Sequence, residues 1–293
     1  MKDSAVLLID CPDQKGLVAR VSSLLYQHGA NILHADQHQD HDQGLFFMRV
    51  EWALGSAESS PASDVERFDL EAYRAEFAPL AAELRMRWKL TLGDRRPRMA
   101  LFCSQYLHCM ADLLHRWRTG ELHCEIPVIV SNHRAVENLA AFYNIPFEYI
   151  PVTAATRAEA EARQVEALAG YGVELVVLAR YMQILSPGFV ARYPAAIINV
   201  HHSFLPAFTG AKPYHAAHAR GVKLIGATSH YVTEVLDDGP IIEQDVARIS
   251  HRDQVEDLVE RGRDLERVVL SRAVRWHLDR RILCYGNKTV VFD

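Results

Sequence analysis

The sequence predicts an α/β protein in two parts, a small βαββαβ unit followed by a larger doubly wound sheet whose strands are mostly parallel. Three observations carry this expectation. Apolar residues switch repeatedly between strand-like runs and recurrence at three and four positions, the mark of alternating strands and helices. The first such series is complete before the charged, Gly- and Pro-flanked stretch Gly93-Asp94-Arg95-Arg96-Pro97, and the second begins directly after it. That second series alternates strand and helix, which favours parallel neighbours joined by helical crossovers.

In the first series Ala5–Cys11 is an apolar strand, and Pro12-Asp13-Gln14-Lys15-Gly16 is a turn. Leu17, Val21, Leu24 and Leu25 then recur at helical spacing up to Gly29. Ile32–Gln39 and Leu45–Trp52 are strands around the polar turn Asp40-His41-Asp42-Gln43-Gly44. The small, polar run GSAESSPASDVE is a loop inside this unit. Leu70, Tyr73, Phe77 and Leu80 or Leu84 mark a second amphipathic helix, and Met86–Leu92 a last strand. The order is that of the ferredoxin-like arrangement. It sets domain limits at residues 1–93 and 94–293.

The second series runs through strand Met99–Cys103, helix Cys109–Trp117, strand Ile126–Ser131 and helix Val136–Tyr143. Strand Phe147–Ile150, helix Ala158–Ala169 and strand Leu175–Leu178 follow. A long helix, Val255–His277, places apolar residues among charges as if to pack on the sheet or between subunits. Ligands of open parallel sheets bind beyond the carboxyl ends of the strands.

Composition narrows the function classes. The 293 residues are 49% hydrophobic, enough for a sizeable core. A formal charge of -5 from intermixed charges leaves no basic footprint for nucleic acid or an anionic membrane. Cys11, Cys103, Cys109, Cys124 and Cys284 are scattered and never in C-x-x-C spacing, which fits reduced thiols rather than a disulfide framework or zinc site. The apolar run in MKDSAVLLIDCPD is too short for a signal peptide or membrane span, so a cytoplasmic protein is expected.

Chemistry concentrates in the run Ile198-Asn199-Val200-His201-His202-Ser203-Phe204-Leu205-Pro206 and in Leu236-Asp237-Asp238-Gly239-Pro240. If Ile197–His201 is extended, Asn199 and His201 project to one face. An amide and an imidazole there can stabilise the oxygen of a carbonyl under nucleophilic attack. A carboxylate beside the imidazole can hold it protonated or take the proton of an attacking water. Asp237 is the candidate, ahead of Asp238. Among 15 histidines an Asn-x-His pair is weak evidence alone, and Asp-Asp-Gly-Pro alone is an ordinary turn.

The wider pattern is specific. Asn199-Val200-His201-x-Ser203-x-Leu205-Pro206, Gly226-Ala227-Thr228-x-His230-x-Val232 and Leu236-Asp237-x-Gly239-Pro240-Ile241-Ile242-x-Gln244 resemble the folate-dependent formyltransferases. The resemblance implies that Asn199, His201 and Asp237 are the catalytic trio, with His201 a hydrogen-bonding acid catalyst and Asp237 its ionic partner and organiser of water. Upstream, Ala179-Arg180-Tyr181-Met182-Gln183-Ile184-Leu185-Ser186 is similar to the family segment that encloses the pterin ring, which makes Met182, Gln183, Ile184 and Leu185 expected substrate contacts.

One departure concerns the formyl acceptor. The family's glycinamide ribonucleotide transformylases carry a glycine-rich phosphate loop after the first strand, where this chain has Cys103-Ser104-Gln105-Tyr106-Leu107-His108-Cys109. Without that cradle the chain resembles the hydrolytic branch, the formyltetrahydrofolate deformylases, in which water is the acceptor. Ser131-Asn132-His133, Ile145-Pro146-Phe147, Gly210-Ala211-x-Pro213-Tyr214-His215 and His251-Arg252-Asp253 are similar to that branch as well. Asn132, Tyr214 and His215 receive no fixed role, since Tyr214-His215 reads equally well as a helix start. The branch implies hydrolysis of 10-formyltetrahydrofolate to formate and tetrahydrofolate, supplying formate for purine synthesis and balancing one-carbon pools, with no metal or redox cofactor.

Asp10-Cys11-Pro12-Asp13-Gln14-Lys15-Gly16-Leu17-Val18, followed by Gly29-Ala30-Asn31-Ile32, resembles the ACT domain, a ferredoxin-like module that commonly binds amino acids. The resemblance implies a glycine or methionine effector and a homo-oligomer; for the unit itself a structural or dimerising role stands equally open. Two rival functions remain at this point, transfer of the formyl group to an amine and a non-catalytic amino-acid-binding regulator. The chain ends soon after Val255–His277, without the basic C-terminal domain of methionyl-tRNA formyltransferases, and its acidic net charge also disfavours tRNA.

Overall fold

The computed structural model describes residues 3–55, 68–206 and 213–292. Most of the run GSAESSPASDVE and the pair Gly210-Ala211 lie outside the described residues. The chain forms two compact units. One joins Met1–Arg95 to Asp279–Leu283 and Val290–Asp293, and the other comprises Arg96–Leu278 with Cys284–Thr289.

The first unit is built from β1 (Ser4–Pro12), α1 (Leu17–Gln27), β2 (Asn31–Asp40), β3 (Leu45–Ala53), α2 (Leu70–Glu83) and β4 (Arg87–Leu92). The strands pair antiparallel in the order β2-β3-β1-β4. Alternate residues of β1 and β3, among them Leu7, Ile9, Met48, Val50 and Trp52, meet Val21, Leu25, Tyr73 and Phe77 of the two helices in one core. Gly29, at φ 73°, ends α1, and Asp69 caps α2 by accepting from the Glu71 and Ala72 amides at 3.0 Å. The opposite sheet face is covered too. There Arg49, 4% exposed, donates to the Arg280 carbonyl at 3.1 Å and the Asp279 carbonyl at 3.3 Å, within the same unit. Edge strand β2 stays exposed along nearly its whole length.

The second unit contains β5 (Met99–Cys103), α3 (His108–Arg118), β6 (Ile129–Ser131), α4 (Glu137–Phe142), β7 (Phe147–Tyr149), α5 (Arg157–Gly170) and β8 (Leu175–Leu178). Then come α6 (Pro187–Val190), β9 (Ile197–His201), α7 (Pro213–Arg220), β10 (Leu224–Tyr231), β11 (Ile241–Arg248) and α8 (Val255–Leu278). A closing hairpin is formed by β12 (Ile282–Tyr285) and β13 (Lys288–Val291). The main sheet has the order β11-β10-β9-β8-β5-β6-β7. Strands β7, β6, β5, β8 and β9 are parallel, and β10 and β11 add antiparallel to that edge. The expected α/β class, with a small βαββαβ sheet and a doubly wound, mostly parallel one, is the architecture observed. The long helix α8 lies against β9, β10 and β11 and against α3 and α7, so it packs on the sheet.

Strand β6 is shorter than the apolar run suggested, because Ile126-Pro127-Val128 approaches the sheet before entering ladder pairing. Pro127 lacks the N–H a ladder needs. All five cysteines are free thiols, four of them buried. No helix among the described residues is long and apolar enough to cross a membrane.

Candidate active site

Strand β9 enters the sheet beside β8 and ends at His201, so its last residues lie at the carboxyl edge where open sheets place ligands. Strand β10 brackets it in antiparallel register, opposing Thr228 to His201 and His230 to Asn199. Beyond β10 the chain turns back through Thr233–Pro240, and Asp237 within this turn takes φ 56°. Aspartate tolerates that left-handed conformation better than most residues. The fold back is possible only because residue 239 is glycine, where a Cβ would stand 1.7 Å from the Tyr231 carbonyl oxygen.

The three expected catalytic residues line one cavity of about 540 Å³, together with His230, His202 and Arg180. His201 Nδ1 lies 3.3 Å from Asp237 Oδ2. That contact with His201 holds the Asp237 carboxyl below the ordinary aspartate range, against the opposing effect of its partial burial. His201 Nε2 is buried without a hydrogen-bond partner among the described residues. Asn199 Nδ2 lies 3.3 Å from His230 Nε2, and His230 Nδ1 lies 2.9 Å from the Tyr231 carbonyl oxygen. A carbonyl only accepts, so Nδ1 carries the His230 proton. Burial keeps this imidazole below the ordinary histidine value and hence neutral, leaving Nε2 to accept from the Asn199 amide.

Met182, Gln183, Ile184 and Leu185 line the same cavity, as do the turn residues Val232–Leu236. The segment is pinned at both ends. The Met182 amide donates to Ser104 Oγ at 3.0 Å, and the Ser186 amide donates to Glu161 Oε1 at 2.7 Å. Ser186 also caps α6, accepting from the Phe189 amide. Met182 and Ile184 are about half exposed in this apolar slot, the kind of lining a flat heteroaromatic ring fills.

The segment Ser104–His108, where a phosphate loop would have to be open, is occupied by its own side chains. Ser104 Oγ donates to Asn132 Oδ1 at 2.7 Å, and the Arg180 guanidinium lies 5.3 Å over the Tyr106 ring. Asn132 is thereby part of the scaffold of this corner. Tyr214 and His215 lie in the first turn of α7, and Tyr214 OH donates to Glu266 Oε1 at 2.8 Å.

The sequence assigned no role to His230, Arg180, His202 or Glu266. For His230 a signal existed, since it alternates with Thr228 on a strand; its register with Asn199 is a product of pairing. Among the described residues, His108, Cys109 and Glu266 form a group with ligand atoms within 4.8 Å of one another. Both Glu266 oxygens already serve His108, Tyr214 and Arg180, and burial pushes the Cys109 thiol well above its ordinary range, so the set is satisfied as a hydrogen-bond and ion-pair cluster.

Residues 97–274 match the formyl transferase family model and residues 5–67 the ACT domain model. The chain is 52% identical over 289 residues to the formyltetrahydrofolate deformylase of Synechocystis sp., covering 99% of this chain and 98% of that protein. It is 49% identical to the formyltetrahydrofolate deformylase of Bacillus subtilis, over 100% of this chain and 95% of the relative. A crystal structure of a formyltetrahydrofolate deformylase from Pseudomonas syringae superposes with a TM-score of 0.93 at 47% identity, covering 100% of this chain and 95% of that one. Glycinamide ribonucleotide transformylase 1 from Symbiobacterium toebii matches 70% of this chain and 98% of its own, with a TM-score of 0.65 at 29% identity. Full-length identity of this order places the chain in the formyltetrahydrofolate deformylase family.

Proposed function

We propose that this enzyme hydrolyses 10-formyltetrahydrofolate to formate and tetrahydrofolate in the cavity around Asn199, His201 and Asp237, with water as the acceptor. The observation that carries it is the His201–Asp237 contact of 3.3 Å beside Asn199 on the same strand face. The pterin lies in the slot of Met182, Gln183, Ile184 and Leu185, which delivers the formyl carbon to the strand ends. Asp237, held ionised, orients the attacking water and the His201 ring. As the tetrahedral centre forms, the free N–H of Asn199 and His201 Nε2–H meet the negative charge on the formyl oxygen. The proton given up by the attacking water passes through the Asp237–His201 pair to the folate nitrogen, the C–N bond breaks, and tetrahydrofolate and formate are released. The charge is met by protein donors throughout, so the chemistry calls for no metal or redox cofactor.

In the ACT unit an amino acid, glycine or methionine, is the proposed effector. The exposed edge of β2 supports pairing of copies into a homo-oligomer. Formate release in a cytoplasmic setting would feed purine synthesis and balance one-carbon pools. The test is to mix purified protein with 10-formyltetrahydrofolate without any amine and follow formate. Stoichiometric formate and tetrahydrofolate are expected; turnover only on adding an amine would establish a transferase instead.

A further inference from the structure

Among the ionisable side chains of the cavity wall, Arg180 and His202 take no part in the reaction outlined above. Behind them, outside the cavity lining, lies Glu266 of α8, 1% exposed. Its Oε2 accepts from His108 Nε2 at 2.7 Å and lies 3.4 Å from Arg180 Nε, while Oε1 accepts from Tyr214 OH at 2.8 Å. Gly262 makes room for this cluster, since a Cβ there would stand 2.1 Å from the Tyr214 hydroxyl. Arg180 Nη1 donates to His202 Nδ1, and the His202 ring stacks on His201 at 5.1 Å with 16° between the planes. Polar contacts thus run from α8 to the back of the catalytic imidazole.

Stability alone does not account for such a cluster, because well-packed apolar residues commonly serve a core as well as a buried ion pair. Arg180 also holds φ 63°, a conformation disfavoured for its side chain. Strain of this kind persists where a side chain must be aimed.

We propose that Arg180 is a positioning residue for deformylation, anchored by Glu266 and holding His202 as a backing ring against His201. The proposal rests on the reading of His201 as catalytic. His202 is faced by Arg180 from the end of β8, His201 beside it, Tyr214 from α7, Glu266 from α8 and Asp237 from the turn after β10. Burial and the Arg180 charge push its value down to about 4. Accepting the Arg180 hydrogen bond at Nδ1 leaves the His202 proton on Nε2 and fixes the ring. Once Arg180 is removed, the carboxylates of Glu266 and Asp237 favour protonation of His202. A cation stacked on His201 then competes with it for Asp237.

The experiment follows formate release between pH 3.5 and 7.5 for Arg180→Met, Arg180→Lys and Glu266→Gln, with the His202 ring titrated by NMR over the same range. Arg180→Met is expected to lower kcat about tenfold or more with KM changed less than about twofold, and to raise both the acid limb of kcat and the His202 titration by about one pH unit. Arg180→Lys keeps the charge and should restore the limb, with kcat still reduced. Glu266→Gln should lower kcat at constant KM without raising the limb. A rise in KM alone, or a kcat loss with the His202 titration and acid limb unmoved, overturns the proposal. Should Arg180→Met not fold, the other two variants decide by the same kcat-against-KM split. Absence of formate release by the unsubstituted protein would refute the proposed reaction instead, while the NMR titration still reports whether Arg180 controls His202.

Discussion

An amide side chain presents either its oxygen or its NH₂ to a neighbour, and at Asn199 the neighbour decides. His230 is neutral, its Nδ1–H is held by the Tyr231 carbonyl, and its Nε2 can only accept. Asn199 must therefore turn its NH₂ toward His230 Nε2, 3.3 Å away. That leaves the second N–H of the same group for a carbonyl oxygen in the cavity. A donor set before the reaction costs no reorganisation when charge develops. Replacing Asn199 with Ala should lower kcat for formate release about 100- to 1000-fold with little change in KM. Full turnover by the variant would remove Asn199 from the oxyanion role.

Among the elements, the turn between β10 and β11 bears the tightest constraint. Asp237 reaches His201 only because the chain closes back on its own strand at Gly239, where an added Cβ would lie 1.7 Å from the Tyr231 oxygen and 3.3 Å from His230 Nδ1. Gly239→Ala must push the turn outward and carry Asp237, two residues away, with it. A displacement near 1 Å at such a group costs on the order of 100-fold. The expected outcome is at least that loss in kcat, in a protein whose circular dichroism matches the parent. Near-parental activity would show that the turn can relax without moving Asp237. This constraint also marks what was legible in the sequence. Strands such as Met99–Cys103 and Leu175–Leu178 were readable to the residue, since continuous apolar runs bounded by polar turns have one extended solution. Asn199 and His201 were readable because strand alternation puts them on one face. The four-residue helix Pro187–Val190 and the closing hairpin are too short to show a period. Glu266 lay hidden in the helix Val255–Leu278, where one acid among many charges looks like a solvated face; its burial arises only when α3, α7 and the end of β8 close over it.

In the molecule as a whole, the groups that build the site also set its tolerance of acid. Asp237 and Glu266 have lowered values in the folded chain, Glu266 because His108 and Arg180 outweigh its burial. Their contributions are present above the unfolded carboxylate values near 4 and are lost as pH falls through the folded ones. His202 acts earlier. Its folded value is about 4 against an unfolded value near 6.5, so between those limits the unfolded chain binds the additional proton and stability falls with falling pH. All three groups therefore push in one direction, as does His230, whose value burial also lowers, and the histidines act in the range above pH 5. From pH 7 to pH 5 the shift corresponds to about 2 kcal/mol of lost stability from this residue. His202→Gln, which cannot titrate, should be less stable than the parent at pH 7 yet lose about 2 kcal/mol less on going to pH 5. Urea unfolding of both proteins at the two pH values measures this, followed through Trp117 and Trp276, which belong to the second unit. Equal acid sensitivity of parent and variant would show that His202 takes up its proton in the folded state as readily as in the unfolded one, and that Arg180 does not restrain it.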